Sequence, residues 1–112
     1  MPWQPLTTTD ELDHIDAASA RRPVLVFKHS TRCSISSTAL HRLQRAWQAA
    51  DGPVHLLDLL RHRALSDAIA VRYGVRHESP QVLVIRDGRC VYGASHLAIT
   101  IADVRRQLTG PW

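Results

Sequence analysis

The sequence predicts an α/β fold, a mixed four-stranded sheet with helices on both faces, and three features carry that prediction. Val24-Leu25-Val26-Phe27 and Val82-Leu83-Val84-Ile85 are short unbroken apolar runs bounded by turn residues, the pattern of strands buried on both sides. Between and around them, apolar residues recur every three to four positions, as on amphipathic helices. Asp87-Gly88 is a hairpin signal, so the last two strands are expected to be antiparallel.

Each element follows from local signals. Thr8 and Glu11 have capping-box spacing and open a helix through Leu12, Ile15 and Ala18/Ser19 that ends before Pro23. The first strand is residues 24–27, and Lys28-His29-Ser30-Thr31-Arg32 reads as a polar loop. From Cys33, the positions Ile35, Ala39/Leu40, Leu43, Ala46/Trp47 and Ala50 predict a helix of about four to five turns, stopped at Asp51-Gly52-Pro53. Val54-His55-Leu56-Leu57-Asp58 is a second strand, and its crossover connection makes it a parallel neighbour of the first. Leu65, Ile69 and Tyr73 mark a helix ended by Gly74. After the hairpin, whose second arm includes Val91-Tyr92, Thr100 and Asp103 form a capping-type pair. Ile101, Val104 and Leu108 then make a last helical stripe, with a stop at Gly110-Pro111. The N-terminal Pro2-Trp3-Gln4-Pro5 packs on the sheet edge or forms part of a dimer contact, and Trp3 and Trp112 are core filler or exposed contacts.

Composition narrows the class of protein. The 112 residues suit one domain, 1–112, and 45% hydrophobic with 21% charged residues is a globular balance. Two cysteines, Cys33 and Cys90, exclude a disulfide-stapled scaffold and a four-cysteine zinc site. No apolar run approaches the ~20 residues of a membrane span. No basic stretch leading into an apolar one marks a signal peptide, so the expected address is the cytoplasm, where thiols stay reduced. The net charge of +4 comes from 14 basic residues, of which Lys28 is the single lysine. The arginines are dispersed and interleaved with acids, which reads as a solvated surface, with no nucleic-acid partner expected.

Chemistry concentrates at the end of the first strand. Cys33 lies where a buried strand hands over to a helix, and ligands of open α/β sheets bind at the carboxyl ends of strands. A thiolate there meets unpaired N–H groups and the positive end of the helix dipole. Lys28, His29 and Arg32 add positive charge if they face it. The alternative is a small buried hydrophobe, against which stand the polar neighbours Ser30, Thr31, Arg32, Ser34 and Ser36. Cys33-Ser34-Ile35-Ser36 has the spacing of a redox C-x-x-C with serine in place of the second cysteine. Serine cannot close a disulfide, so the protein is expected to work through a mixed disulfide on one sulfur, with Ser36 donating a hydrogen bond to it. Cys90, just past the hairpin, is expected well over ~10 Å away and structural.

Other residues converge on the same sheet end. His77-Glu78-Ser79-Pro80-Gln81 leads into the third strand, and Pro80 is either a cis residue that frees adjoining backbone to pair with an extended substrate, or an ordinary trans proline at the strand edge. Ser95-His96 returns to this end after the hairpin. His29, His77 and His96 are thus candidates to stabilise the thiolate or protonate a leaving thiol, or simply surface histidines. No histidine or cysteine pair has ligand spacing within one element, so no metal is expected.

Together these segments resemble the monothiol bacilliredoxin family: Phe27-Lys28-His29-Ser30-Thr31-x-Cys33-x-Ile35-Ser36, Ile69-Ala70, His77-Glu78-Ser79-Pro80-Gln81, and Ala94-Ser95-His96 with Ile99-Thr100, in order across nearly the whole chain. The resemblance implies a thioredoxin-like fold, Cys33 as active cysteine, a cis Pro80 facing it, and removal of bacillithiol from protein mixed disulfides. The family commonly has proline after the active cysteine; Ser34 stands there in this chain.

The expected function is a thiol–disulfide oxidoreductase. Cys33 and Ser36 are its catalytic residues, and Ser79, Pro80, His29, His77, His96, Lys28 and Arg32 its substrate-binding residues. No cofactor is bound, bacillithiol is the co-substrate by resemblance, and S-thiolated client proteins are the partners. The alternatives are a non-catalytic thioredoxin-like interaction protein and a metal-binding protein using Cys33 with nearby histidines.

Overall fold

The computed structural model describes residues 3–109; the expected stop at Gly110-Pro111, and Trp112, lie outside them. The chain runs β1 (Trp3–Pro5), α1 (Asp10–Ser19), β2 (Val24–His29), α2 (Ser34–Ala46), β3 (Val54–Asp58), α3 (Arg63–Tyr73), β4 (Gln81–Arg86), β5 (Arg89–Ser95) and α4 (Ile101–Thr109), with 3-10 turns at Ala49–Asp51 and His96–Ala98. The strands form one mixed sheet in the order β1-β3-β2-β4-β5. β3 is parallel to both β1 and β2, while β4 is antiparallel to both β2 and β5.

The sheet therefore has five strands rather than the expected four. β1 spans three residues and ends on proline, too short for an alternating pattern to show in sequence. Its proline is tolerated because β1 lies on the sheet edge. Trp3 seats it: its ring lies 6.3 Å from Phe27 and 5.9 Å from Trp47, centroid to centroid. Trp3–Pro5 is thus a sheet edge and Trp3 a partly buried cover over the core, while Pro2 lies outside the described residues.

Both faces of the sheet are covered, which explains the unbroken apolar runs. Val24 and Val26 enter one core layer with Leu12 and Ile15 of α1 and Leu65 and Ile69 of α3. Leu25 and Phe27 enter the other with Ala39, Leu40 and Leu43 of α2 and Val104 of α4. The β4–β5 turn has Asp87 at φ 51° and Gly88 at φ 74°, the two left-handed residues of a type I′ hairpin. It is tied to the end of α1, where the Asp87 N–H donates to the Ser19 carbonyl (2.9 Å) and the Gly88 N–H to the Ser19 hydroxyl (2.8 Å).

Two helix ends differ from expectation. α1 is capped at Thr9, and Glu11 turns back to accept the backbone N–H groups of Thr7 and Thr8, each at 3.0 Å. α2 ends at Ala46 after 13 residues, short of the four to five turns expected. Tertiary ties override its apolar period there: the Trp47 indole donates to the Gly52 carbonyl (2.9 Å), and Gln48 and Asp51 cap a separate 3-10 turn. Asp51 also accepts two N–H groups from Arg105 of α4, at 2.9 and 2.8 Å. At the start of α4 the Asp103 N–H donates to the Thr100 hydroxyl (3.2 Å), as the sequence spacing implies.

Candidate active site

The strand register brings the site together. Lys28 pairs with Leu57 on one side and Gln81 on the other, His29 pairs with Asp58, and Gln81 pairs with Ser95. The carboxyl ends of β2 and β3, the start of β4 and the end of β5 therefore meet at one end of the sheet. The loop from β2 to α2 leaves from the same end. Cys33 is the N-cap of α2, in extended conformation (φ −106°, ψ 120°). Its N–H donates to the Ser30 carbonyl (3.2 Å) and its carbonyl accepts from Ser37 (3.0 Å). Its thiol makes no capping hydrogen bond, is half-buried, and faces a first helical turn without an acidic residue.

Ser36 sits elsewhere than expected. It is fully buried, accepts the Ser30 N–H at 3.0 Å, and lies 2.6 Å from His29 Nδ1. Burial lowers the His29 pKa, against the opposing charge of Asp58 and with a further push from His41, so the ring is neutral at pH 7. The Ser36 hydroxyl, which accepts from the Ser30 N–H, thus also shares a hydrogen bond with the ring. Among the described residues the Ser36 hydroxyl is bonded to Ser30 and His29, and no hydrogen bond joins it to the Cys33 sulfur. In the position of a second cysteine the chain thus has a buried oxygen that braces the Cys33 loop.

Lys28 is not in a loop: it belongs to β2 and is fully buried. Its Nζ donates to the Ser66 carbonyl of α3 (3.1 Å) and lies 3.3 Å from His77 Nδ1, which the Ser66 hydroxyl also approaches at 3.2 Å. Burial pushes the Lys28 ammonium down to about 8, Asp67 acting in the opposite sense. Burial, aided by the Lys28 charge, also lowers His77, which leaves its Nδ1 free to accept. Lys28 and His77 thus anchor the segment that leads to Pro80. Sequence periodicity could not show this, because a lysine next to a histidine and a serine looks like loop.

The remaining candidates lie around the same sheet end. The Ser79-Pro80 bond is cis, Pro80 is buried, and the Ser79 hydroxyl is buried without a hydrogen-bond partner among the described residues. The His96 N–H donates to the Pro80 carbonyl (3.0 Å), which joins the β5 exit to the proline segment. His96 itself is exposed, with φ 54° in the left-handed region that non-glycine residues seldom occupy. Glu78 and Ser95 are hydrogen-bonded to each other. Arg32 is exposed beside Cys33. His29, His77 and His96 thus share a sheet end but play different parts: one braces Ser36, one pairs with Lys28, and one stands in the open.

Cys90 lies at the other end. It pairs with Ile85, which in turn pairs with Val24, so the length of β2, about 16 Å at ~3.3 Å per residue, separates the two cysteines. Its thiol packs on the α1/α3 core layer and donates to the Tyr92 carbonyl (3.3 Å). Burial pushes its pKa up. Among the described residues no three His, Cys, Asp or Glu side chains gather closely enough to hold a metal ion, so the metal-binding alternative has no ligand set there. No helix among them is long and apolar enough to cross a membrane.

Comparison with known proteins decides the family. Residues 4–104 match the family model described as monothiol bacilliredoxin BrxC. The chain belongs to the monothiol bacilliredoxin family. Its backbone superposes on a thioredoxin-fold protein with a proposed oxidoreductase activity at TM-score 0.81, with 28% identity over 93% of this chain and 91% of that one. It is also similar to Fasciola hepatica thioredoxin (TM-score 0.71, 18% identity, 95% and 96% covered) and to a Halobacterium salinarum thioredoxin mutant (0.69, 20%, 98% and 93%). The last two show the fold alone. The fold is thioredoxin-like, and membership of the bacilliredoxin family makes this a thiol redox protein.

Proposed function

We propose that this bacilliredoxin is a monothiol oxidoreductase that takes a low-molecular-weight thiol, bacillithiol, off S-thiolated client proteins, with Cys33 as nucleophile. The observation that carries the reading is the pairing of an uncommitted, half-buried Cys33 thiol at a helix N-terminus with a buried, hydrogen-bonded Ser36 three residues on. The Cys33 thiolate attacks the small-thiol sulfur of the mixed disulfide. The client–sulfur bond breaks, the Cys33–small-thiol bond forms, and the client leaves as a thiolate that takes up a proton. One disulfide replaces another, so no electrons are gained or lost and no resident cofactor is required. Exchange stops at the mixed disulfide because Ser36 has no sulfur to displace it and Cys90 is a strand length away. Ser79, Pro80 and His96 border the approach to Cys33, Arg32 adds charge beside it, and His29, His77 and Lys28 hold the surrounding loops. A reduced-thiol compartment, the cytoplasm, suits this chemistry.

The test is to offer a single-cysteine carrier protein modified with bacillithiol. The reading expects release of free carrier and a matching mass increase on the Cys33 peptide, both absent in Cys33→Ala. No transfer by the wild-type protein, or equal release by Cys33→Ala, overturns it and favours a non-catalytic interaction protein.

A further inference from the structure

A buried array beneath residues 76–80 carries chemistry that the exchange reaction has not used. Lys28 of β2 and Gln81 of β4 are register partners, so their side chains leave the same face of the sheet. It is the face that carries Val24 and Val26 into the α1/α3 core layer. Both are buried, Lys28 at 0% exposure and Gln81 at 6%. Each takes hold of the chain between α3 and β4. Gln81 Nε2 donates to the Arg76 carbonyl (2.9 Å). Lys28 Nζ, itself donating to the Ser66 carbonyl of α3 (3.1 Å), lies 3.3 Å from His77 Nδ1. The far end is held by the His96 N–H on the Pro80 carbonyl (3.0 Å).

Between these ties one residue is left bare. Among the described residues the N–H and the carbonyl of Ser79 form no hydrogen bond, and its hydroxyl is buried without a partner. Backbone groups of this kind are satisfied by another backbone lying alongside. Because the segment is tied on both sides of Ser79, its geometry is set before a partner arrives, and less order is lost on binding. A buried ammonium is costly, and an apolar residue in β2 would fill the space without that cost. The lysine is thus explained by what its charge holds, the His77 ring.

We propose that Lys28 is a positioning residue for polypeptide substrates: through His77 it holds the Ser79 backbone where it pairs with the client chain, while the client's mixed disulfide meets Cys33. The proposal rests on the exchange reaction above and assigns it a binding element for the client rather than for the small thiol. The Lys28–His77 contact is strongest where Lys28 is charged and His77 neutral, because an ammonium then gives a charge-assisted bond to an unprotonated ring nitrogen. Burial lowers both groups, Lys28 to about 8. Asp67 and Arg63 of α3 and Glu78 of the segment are the other charges that act on the pair.

Two substrates separate binding of a client from exchange at the sulfur. One is the bacillithiol-modified single-cysteine carrier, varied in concentration; the other is bis(2-hydroxyethyl) disulfide, which has no peptide backbone. Lys28→Met is expected to raise KM for the carrier about tenfold, the scale of one hydrogen bond, with kcat within about threefold. Its rate on the small disulfide and the alkylation rate of Cys33 stay within about twofold of wild type. The wild-type KM for the carrier is expected to rise about threefold from pH 7.5 to 9 as Lys28 loses its proton, and that of Lys28→Met to stay flat. His77→Leu reproduces the tenfold rise, and it carries the test should Lys28→Met fail to fold, since His77 is exposed. His77→Asn, whose Oδ1 takes the place of Nδ1, keeps the wild-type KM. So does Arg72→Ala, which loosens α3 from α1 without touching the segment. A wild-type KM in Lys28→Met or in His77→Leu overturns the inference while leaving the exchange reaction standing. So does an equal loss on the carrier and on the small disulfide, which assigns the array to the thiol or to the fold at large. No transfer from the carrier by the wild-type protein overturns the exchange reaction, and the inference with it.

Discussion

Cys33 stands beyond the carboxyl end of a central strand, at the mouth of a helix, with its sulfur committed to no hydrogen bond among the described residues. Cys90, at the opposite end of the same sheet, packs on the α1/α3 core and gives its S–H to the Tyr92 carbonyl. The two residues share side-chain chemistry and partial burial, so exposure alone does not separate them. What separates them is what each thiol faces. Cys33 caps the start of α2 beside the polar Arg32 and Ser34; Cys90 packs against apolar side chains, which disfavour its thiolate. The same contrast extends to the two ends of the sheet. The Cys33 end pairs each of two buried polar side chains with a histidine, Ser36 with His29 and Lys28 with His77, whereas the Cys90 end is closed by a hairpin pinned to α1.

The largest expected effect breaks this comparison outright. Cys33→Ala is predicted to lower transfer from a mixed-disulfide carrier more than 100-fold, while Cys90→Ala stays within twofold. Comparable losses in both variants would make Cys90 part of the reaction. A second substitution probes the bracing of the reactive end. Ser36→Ala leaves the Ser30 N–H and His29 Nδ1 without their partner, and loss of such buried bonds costs about 1–3 kcal/mol, readable as a lower urea midpoint. A midpoint unchanged from wild type would show that the hydroxyl braces nothing.

Two pH effects sharpen the contrast further. The Lys28 ammonium is held down to about 8 when folded, against an ordinary 10.5, so between those values the unfolded chain binds more protons. Its contribution to stability therefore rises with pH from about 8 toward 10.5. Lys28→Met is predicted to remove that rise: wild-type stability minus variant stability increases as pH goes from 8 to 10. A difference constant with pH contradicts the burial of a charged lysine. The smallest effect comes from His29 and His77, both lowered by burial. Each binds its proton more weakly in the folded state, so their contribution falls as pH drops below about 6.5. His29→Gln and His77→Gln are each predicted to flatten the decline in stability between pH 6.5 and 5, and an unchanged decline would place the acid sensitivity elsewhere.

Much of the fold was legible because its signals are local. The apolar runs at β2 and β4, the Asp87-Gly88 turn and the Gly74 stop each depend on a few adjacent residues. β1 was not legible, because three residues ending on proline carry no period and only the pairing with β3 makes them a strand. The end of α2 was misjudged for a tertiary reason: the apolar period continues through Trp47 and Ala50, but the Trp47–Gly52 and Asp51–Arg105 bonds pull that segment out of the helix. At the site, the strand-to-helix corner and its serine-for-cysteine spacing pointed to Cys33. The fates of Lys28 and Ser36 depended on which way each side chain turns, and a polar run in sequence does not show that.

The central claim, one reactive thiol and one bystander in a single small sheet, is tested most directly by competitive alkylation. Native protein is pulsed with iodoacetamide across pH 6 to 9, and the label on each cysteine is quantified by peptide mass spectrometry. Cys33 is predicted to label at least 100-fold faster than Cys90 at pH 7 and faster than a free model thiol, with the gap closing on unfolding in urea. Labelling of the two cysteines at similar rates in the native protein, or faster labelling of Cys90, would contradict the account.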